Sequence, residues 1–542
     1  MTLLMWSGSF PTRLRSILTF KFSAEAAATL TLSNMNKHTV LKLVFYTTLA
    51  LISVQASADP SGSAMVAREY RQAHEQQLVD EFAALLSMPN VATDEAAIRK
   101  NAEYIADLLR PRKFQVELLE APGSPPVVFA ERLSPGAEKT LMIYVHYDGQ
   151  PVNAADWASD PWTPVMRDGM VEHGGRQVPM KAPFDPEWRI FGRSAGDDKG
   201  PIIALNAALD ALDQAGIPLS VNLKVFFEGE EEQGSPHLED MLSRHKDKLD
   251  ADLWLFCDGP AHQSRQWQLV NGVRGSFGFG VTVYGPNRPL HSGHYGNWAP
   301  NPIMLLIDLI ASMRAPDGAI LIDGYMDQVV PPSLSEMEAI DAAPSVDAGL
   351  VRELGIGRPE TEDRLELAIM RPALNVRGIH SGDVGSQARN AIQPSATASI
   401  GLRLVPDLTP EFAREAVEQH VRKQGYHIVY QEPGSKDRTA HERIARLDWN
   451  ESGYPAYRSD FDLPMIQQIA GVMDELSDQP LVRMPSMGGS LPIYLIEQVT
   501  GTPVVILPIA NHDNNQHGKD ENLRLQNLWD AIEIYAAVLT NL

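Results

Sequence analysis

One short apolar segment limits the folds open to this chain more than any other feature of the sequence. Residues 141–145, LMIYV, form an unbroken apolar run between the stretch PGAEK and Gly149. A run of this length without polar alternation is typical of a strand buried on both faces of a parallel sheet. We therefore predict an α/β domain whose central sheet contains this strand.

A histidine and an aspartate follow this run where the predicted strand ends. His146 and Asp148 are two residues apart, so both side chains lie on one face of an extended segment. Ligands of α/β proteins collect at the carboxyl ends of the strands, and a carboxylate often orients a metal-binding imidazole. The pair therefore indicates a metal site, with a buried histidine beside a loop carboxylate as the alternative.

Further strands and helices alternate after this point. Proline at position 201 and an apolar stripe down to Leu212 predict a helix. The apolar runs VNLKVFF (221–227) and ADLWLFC (251–257) predict two more buried strands, and each leads into acidic residues, EGEEE and Asp258 respectively. This alternation is typical of a mostly parallel sheet covered by helices.

The pattern changes near Gly272. GSFGFGVTVYG alternates like a strand with one exposed face, and a helix at 302–313 precedes a long irregular region that reaches Ser381. A strand, a helix and a last strand, HIVYQEP, follow without acidic strand ends. We therefore predict a smaller α+β domain inserted into the α/β domain. The predicted division is an N-terminal extension 1–58, an α/β domain 66–271 and 434–542, and an inserted domain 272–433.

Composition excludes several classes of partner and site. The chain has 542 residues, enough for two or three domains, and a formal charge of -23. This acidic balance disfavours nucleic acid and anionic lipid as partners. Cys257 is the single cysteine, so neither an intrachain disulfide framework nor a cysteine-rich metal site is possible.

The N-terminal region resembles a targeting segment rather than part of the fold. Lys37 and Lys42 supply a basic region, 43–54 an apolar core, and Ala56-Ser57-Ala58 a small-residue cleavage pattern. The apolar core is shorter than the ~20 residues of a membrane span. We therefore expect a signal peptide at 35–58 and an exported protein, periplasmic in a Gram-negative host, with no membrane attachment after cleavage. An uncleaved anchor is the alternative.

Five possible metal ligands follow apolar runs or lie in loops between them. They combine nitrogen and oxygen donors without a thiolate, which suits Zn²⁺, Mn²⁺ or Co²⁺. The five are His146, Asp197, Glu232, Asp258 and His517. Glu231 would lie beside the metals and remain free to move a proton. Two metal ions sharing one carboxylate are a common apparatus of hydrolases. The alternative for EGEEE is a solvated surface loop.

Five motifs occur in a set order along the chain: YVHYD, GRSAGDDKG, EGEEEQGS, the FCD strand end and DNNQHG. In this order they resemble the M20 metallopeptidases, above all the dipeptidase branch that includes the carnosine dipeptidases. The resemblance covers about residues 66–542. It implies a di-zinc catalytic domain interrupted by a lid domain that usually forms a homodimer, with manganese or cobalt as the alternatives to zinc.

The resemblance also implies catalytic roles for the matching residues. The metal ligands would divide into one pair, His146 and Asp258, a second pair, Glu232 and His517, and the bridging Asp197. Asp148 would orient the imidazole of the first ligand. Glu231 would act as general base and then as general acid.

Substrate-binding residues are implied mainly in the lid domain. PLHSGHYG resembles the segment whose histidine, here His291, reaches the active site of the partner subunit. ARNAIQP and GLRLVP supply Asn390 and Arg403, which would hold substrate. MGGSLP supplies Gly489 and Ser490, which resemble the loop that binds the substrate carboxylate.

Two stretches depart from the family pattern. Ser194 stands where glycine is usual, so the backbone of that loop is expected to differ. The region 315–383 fits the family poorly and is expected to reshape the pocket. Neither departure changes a metal ligand.

We interpret the chain as a hydrolase of short peptides, above all unblocked dipeptides, that uses a metal-activated water with Glu231 as general base. In M20 enzymes, aspartate at the position of Asp258 is typical of aminopeptidases and dipeptidases. A deacylase of N-acyl amino acids with the same metal centre is the main alternative. A serine hydrolase is disfavoured because no G-x-S-x-G motif surrounds Ser490. A metal-free binding protein would be expected to lack some of the five ligands.

Overall fold

The computed structural model describes residues 59–451 and 453–542. The predicted signal peptide lies outside this range, so the exported location stays a prediction. The described residues belong to one compact unit, Ser57–Leu542. None of the helices in this part of the chain combines the length and the apolar character that crossing a bilayer requires.

A mostly parallel, eight-stranded sheet forms the centre of the molecule, as the sequence predicts. In chain order its strands are Gln115–Leu119 (β1), Val127–Arg132 (β2), Thr140–His146 (β3), Asn222–Glu228 (β4), Leu253–Phe256 (β5), Gln268–Val270 (β6), Val482–Met484 (β7) and Val504–Ile506 (β8). Their spatial order is β1-β2-β4-β3-β5-β8-β6-β7. The four central strands, β4, β3, β5 and β8, run parallel to one another.

Helices cover both faces of this sheet. They are Pro60–Leu86 (α1), Glu95–Leu109 (α2), Gly200–Ala215 (α3), Leu238–His245 (α4), Pro464–Leu476 (α5), Tyr494–Thr500 (α6) and Leu525–Asn541 (α7). Helices α1, α2, α3, α5 and α7 pack on one face, where Leu141, Ile143 and Val145 of β3 join their core. Helices α4 and α6 pack on the other, where Met142 and Tyr144 join theirs. The alternation of side chains along a strand therefore explains why residues 141–145 of β3 are all apolar.

A second, five-stranded sheet forms the region interpreted as the lid. Its spatial order is Ala373–His380, Ser395–Leu404, Gly275–Tyr284, Ile444–Trp449 and His427–Val429. Only the last pair is parallel. The helices Pro302–Met313 and Pro410–Lys423 pack against this sheet in a separate apolar core. Shorter helices are Ser292–Tyr295, Leu334–Ala342, Asp347–Glu353, Leu365–Ala368 and Ser435–Ala440, and two-stranded ladders join Leu290–His291 to Ala391–Ile392 and Gly272–Val273 to Tyr457–Arg458.

Two details of this region differ from the sequence analysis. The stretch treated as irregular contains the strand Ala373–His380, whose side chains are mostly exposed and whose apolar alternation, Leu374 and Val376, stops where the pairing register shifts. The sheet also continues beyond residue 433, because Ile444–Trp449 pairs with Gly275–Tyr284. The second sheet therefore uses residues that the predicted boundary gave to the catalytic domain, and the division into domains stays a prediction.

A four-stranded sheet brings the loop that carries Asp197 next to the C-terminal part of the chain. Its strands, in spatial order, are Asn522–Arg524, Arg189–Phe191, Val165–Arg167 and Gln177–Val178. The last two lie in the long segment after His146, which therefore contains regular structure. The pairing of residues 189–191 with 522–524 places Glu521 beside the loop 193–197.

Glu521 holds this loop in position. Its carboxylate is fully buried and accepts hydrogen bonds from the backbone N–H groups of Ser194, Gly196 and Asp197, each at 3.0 Å. It also forms an ion pair with the buried guanidinium of Arg193, with an N–O distance of 2.6 Å. Four donors on one carboxylate make the loop conformation depend on this single side chain.

We expect Glu521→Gln to lower the free energy of unfolding by about 3–5 kcal/mol, because it leaves the Arg193 charge buried without a partner. The amide nitrogen would also face backbone N–H groups. Denaturant unfolding of the purified variant measures the loss. The exposed Glu338 offers a matched control, since Glu338→Gln changes no buried contact. A Glu521→Gln protein as stable as the wild type would contradict this role.

Candidate metal centre

The carboxyl ends of three neighbouring parallel strands meet at one edge of the central sheet. Strand β3 ends at His146, β4 leads into Glu231 and Glu232, and β5 is followed by Cys257 and Asp258. Since these strands are adjacent and parallel, their last residues face the same crevice. The loop of Asp197 approaches the crevice from the side, as described above.

The five predicted ligands form two groups that share one residue. Nitrogen and oxygen atoms of His146, Asp197 and Asp258 lie within 4.8 Å of one another, and so do those of Asp197, Glu232 and His517. One carboxylate oxygen of Asp197 is 2.8 Å from His146 Nε2, and the other is 3.2 Å from His517 Nε2. Asp197 therefore offers one oxygen to each group, which is the geometry of a bridging carboxylate.

The donor atoms of this cluster fit divalent cations. One oxygen each of Glu232 and Asp258 is buried without a hydrogen-bond partner, an arrangement that is costly unless a cation is bound. Burial and the neighbouring carboxylate of Asp197 raise the pKa of Asp258 to about 6 and that of Glu232 to about 7. Imidazole and carboxylate donors without sulfur suit borderline or hard ions. The arrangement accommodates two divalent metal ions.

Asp148 connects the first histidine to the loop of Glu231. Its carboxylate is fully buried and lies 3.3 Å from His146 Nδ1. The same carboxylate accepts hydrogen bonds from the backbone N–H groups of Glu231 and Glu232, both at 3.1 Å. The orientation of the imidazole is therefore coupled to the position of two acidic side chains.

Glu231 has the environment of a proton-transfer group. Its side chain faces the cavity beside the metal ligands. Desolvation raises the pKa of the Glu231 carboxyl well above its usual range, with His146 opposing the shift and Asp258 adding to it. A carboxyl with a raised pKa can accept a proton and later release it near neutral pH.

The cavity extends from the ligands to the loop of Gly489 and Ser490. Its volume is about 540 Å³, and both loop residues line it. Arg403 donates a hydrogen bond from Nη1 to the Ser490 hydroxyl, at 2.6 Å. The buried Arg274 is close enough to Arg403 that burial and this second charge together lower its pKa to about 10. Two guanidinium groups and a hydroxyl thus adjoin one end of the cavity.

The structure does not bring His291 and Asn390 to this cavity. The two residues are neighbours, because the backbone N–H of Ser292 donates to the carbonyl of Asn390 at 2.9 Å. Both side chains are exposed, and neither lines the cavity of its own chain. Their role in substrate binding therefore stays a prediction.

Ser194 keeps the backbone conformation that a glycine would adopt. Its φ of 64° lies in the left-handed region. The hydroxyl accepts a hydrogen bond from Asn90 Nδ2 at 2.9 Å and donates one to the carbonyl of Asp148 at 3.3 Å. These two hydrogen bonds help to stabilise the conformation that serine otherwise disfavours.

Three contributors to the site are absent from the sequence prediction. Gln150 donates to the carboxylate of Glu232 at 2.8 Å, Arg274 adjoins Arg403, and Glu521 holds the loop of Asp197. Glu521 lies four positions after His517, so an acidic residue this close to a predicted ligand could have suggested it. No local pattern indicates Gln150 or Arg274.

Comparison with known proteins agrees with this geometry. The family model "Peptidase family M20/M25/M40" matches residues 142–541. The chain is 27% identical to the Cys-Gly metallodipeptidase dug1 of Schizosaccharomyces pombe over 486 residues, which cover 86% of this chain and 95% of that protein. It is 27% identical to the Beta-Ala-His dipeptidase of Mus musculus over 433 residues, covering 77% and 80% of the two chains.

A solved structure shares the fold. The M20 family metallo-carboxypeptidase Sso-CP2 from Sulfolobus solfataricus superposes with a TM-score of 0.68 at 24% identity, covering 86% of this chain and 98% of the other. The fold, the order of the motifs and the family match over most of the chain lead to one conclusion. This chain belongs to peptidase family M20/M25/M40 and is a metallopeptidase.

Proposed function

We propose that this protein hydrolyses the peptide bond of short peptides, above all unblocked dipeptides. The observation that carries the proposal is the sharing of Asp197 between two ligand groups beside Glu231, in a cavity that reaches Ser490, whose hydroxyl accepts a hydrogen bond from Arg403. The relatives named as a Cys-Gly metallodipeptidase and a Beta-Ala-His dipeptidase support the substrate class.

In the proposed mechanism, the residues of the chain position the substrate and move one proton. Divalent ions held by the five ligands would supply Lewis acidity to the attacking water and to the peptide carbonyl. Glu231 accepts the proton of the water and then donates it to the leaving amine. Asp148 keeps the imidazole of His146 and the loop of Glu231 aligned during both steps. We further propose that the native ions are zinc, since the mixed imidazole and carboxylate donors suit it.

The two ends of the substrate are proposed to bind at opposite ends of the cavity. Arg403 and Ser490 face the substrate carboxylate, which a guanidinium can bind with two parallel hydrogen bonds. The nearby charge of Arg274 adds to the positive potential at this end. The free amino group lies at the metal end, near the carboxylate of Asp258. A dipeptide satisfies both ends, whereas longer chains exceed the cavity.

The protein is also proposed to act as a homodimer through its lid domain. The lid exposes apolar side chains near His291, since Trp298 is 81% exposed and Met304 on the helix Pro302–Met313 is 52% exposed. Exposed apolar side chains of this size support an interface, because burying them against a partner is favourable. A second copy covering this surface could bring its His291 to the cavity, where it would stabilise the oxyanion.

Metal removal and loss of the base should have separable effects. Chelation is expected to abolish dipeptide hydrolysis, and Zn²⁺, Mn²⁺ or Co²⁺ to restore it. Glu231→Gln should lower kcat by about 10²–10⁴-fold, the usual contribution of a general base, while metal content measured by atomic absorption stays unchanged. The exposed Glu239 provides the control substitution Glu239→Gln. Full activity of Glu231→Gln, or metal loss in it, would refute the assignment.

The enzyme should discriminate between free and blocked substrate termini. Unblocked dipeptides are expected to be cleaved faster than their N-acetyl or C-amide forms, because each block removes a charge that the cavity binds. Arg403→Lys should mainly reduce discrimination against the C-amide, since lysine cannot form the bidentate contact. Steady-state kcat/KM values on the three substrate types measure this, with the exposed Arg422→Lys as control. Faster turnover of N-acyl amino acids than of dipeptides would instead establish the deacylase alternative.

Complementation between inactive subunits should reveal the dimer. In a heterodimer of His291→Ala and Glu231→Gln chains, one of the two sites keeps its own Glu231 and receives an intact His291 from the other chain. An equal mixture should therefore recover about a quarter of wild-type activity. Subunit exchange is verified by mass spectrometry of differently tagged chains. Exchange without recovered activity would show that His291 does not act across an interface.

A further inference from the structure

One wall of the cavity comes from the region that fits the family pattern poorly. The segment 315–372, here called the wall segment, joins the helix Pro302–Met313 to the strand Ala373–His380 and contains three short helices. Its helix Leu365–Ala368 lies at the cavity, where Leu365, Glu366 and Ile369 are lining residues. A part of the second-sheet region therefore faces the metal ligands within the same chain.

The wall segment is packed against the catalytic part of the molecule. Ala343 is buried in the apolar cluster that contains Met484 of β7. Glu336, on the helix Leu334–Ala342, forms an ion pair with Arg458 at 3.0 Å, and both side chains are largely buried, at 7% and 12% exposure. An ion pair excluded from solvent in this way restrains the segment, because separating it would leave two charges buried.

A second anchor lies at the cavity itself. Arg364 donates to the carboxylate of Glu366 at 2.7 Å and to the carbonyl of Ala343 at 2.9 Å. His262, four residues after Asp258, has its Nε2 atom 3.8 Å from the same carboxylate. Although burial raises it, the nearby imidazole of His262 and the hydrogen bond from Arg364 lower the pKa of Glu366 to about 2. Arg364 thus compensates the charge of Glu366, although Glu366 and His262 both line the cavity.

Apolar side chains are left facing the cavity. Leu365 is 38% exposed although it lies in a docked helix, and Ile369, Met487 and Leu491 are also partly exposed and line the same space. Ile369 approaches Gly488 in the loop that leads to Gly489, because its Cγ2 atom is 3.8 Å from the Cβ position at Gly488. Apolar surface that a chain keeps open inside a cavity is typical of a ligand site.

We propose that Leu365, Ile369, Met487 and Leu491 form a subsite for a large apolar side chain of the substrate. The inference rests on the proposed function, and it adds that one residue of the dipeptide carries a side chain such as leucine, methionine or phenylalanine. Burial of such a side chain against four apolar residues favours it over alanine or glycine. A charged side chain would lose part of its hydration against these four apolar residues.

Substitutions that fill or enlarge the subsite test this proposal. The kcat/KM ratio of leucine to alanine substrates is measured in two series, Leu-Gly against Ala-Gly and Gly-Leu against Gly-Ala. The wild type should prefer leucine by about 10- to 200-fold in one series. Leu365→Trp fills the space and should reduce that ratio at least ~10-fold, while Leu365→Ala should reduce it by roughly 3- to 10-fold. The control is Leu354→Ala in the same segment, since Leu354 is 63% exposed and lies outside the cavity.

A ratio near unity in both series, or a ratio that Leu365→Trp leaves unchanged, would overturn the subsite without affecting the proposed function. If no dipeptide is hydrolysed, the proposed function fails, and the subsite is judged by binding. Calorimetric titration of the four dipeptides into metal-loaded Glu231→Gln protein then decides. Tighter binding of a leucine dipeptide that Leu365→Trp abolishes would support the subsite, and equal binding of leucine and alanine dipeptides would overturn it.

Discussion

The repulsion among buried carboxylates at one edge of the central sheet is the constraint on which the rest of the site depends. Asp197, Glu232 and Asp258 bring their charges together where water is largely excluded. Each uncompensated buried charge costs on the order of several kcal/mol. Contacts within the chain offset part of this cost. Burial raises the pKa of Asp197, but hydrogen bonds with His146 and His517 lower this pKa to below its usual range. Divalent cations would offset the remainder, so folding and metal binding are thermodynamically coupled.

This constraint explains why so many hydrogen bonds hold the loops around the site. The parallel strands β3, β4 and β5 end next to one another, so backbone hydrogen bonds between the strands place the starts of three of these loops. The loop of Asp197 has no such strand behind it, and the four donors on Glu521 replace that support. If Asp197 bridges two ions, as proposed, its position must be held precisely, and Glu521 restrains its loop from the far end of the sequence.

The parts of the structure that could be predicted from the sequence are those with a local cause. The apolar run of β3, the helix with Pro201 in its first turn and the acidic residues that follow β4 and β5 can each be predicted from a few adjacent residues. The contact between Glu521 and residues 194–197 joins positions more than 300 residues apart, and neither segment contains a pattern that indicates this pairing. The strand Ala373–His380 is absent from the prediction because its apolar alternation is limited to Leu374 and Val376, before the pairing register shifts. His291 and Asn390 are a different case, because their proposed role depends on a partner subunit, which a single chain does not contain.

The proposed reaction and the proposed substrate preference differ in the same way, because the first depends on local motifs and the second on contacts between distant segments. The predicted metal ligands and Glu231 lie in short motifs, so the reaction proposed for them follows from the resemblance of those motifs to the family. The wall of the cavity is assembled from Leu365 and Ile369 on one segment and Met487 and Leu491 on another, more than 100 residues further along the chain. The two segments are brought together because the wall segment docks through Glu336, Arg364 and Glu366. The partners of these three charged residues cannot be predicted from the sequence. A segment that departs from the family pattern is therefore where a metal centre common to many peptidases can acquire a preference of its own.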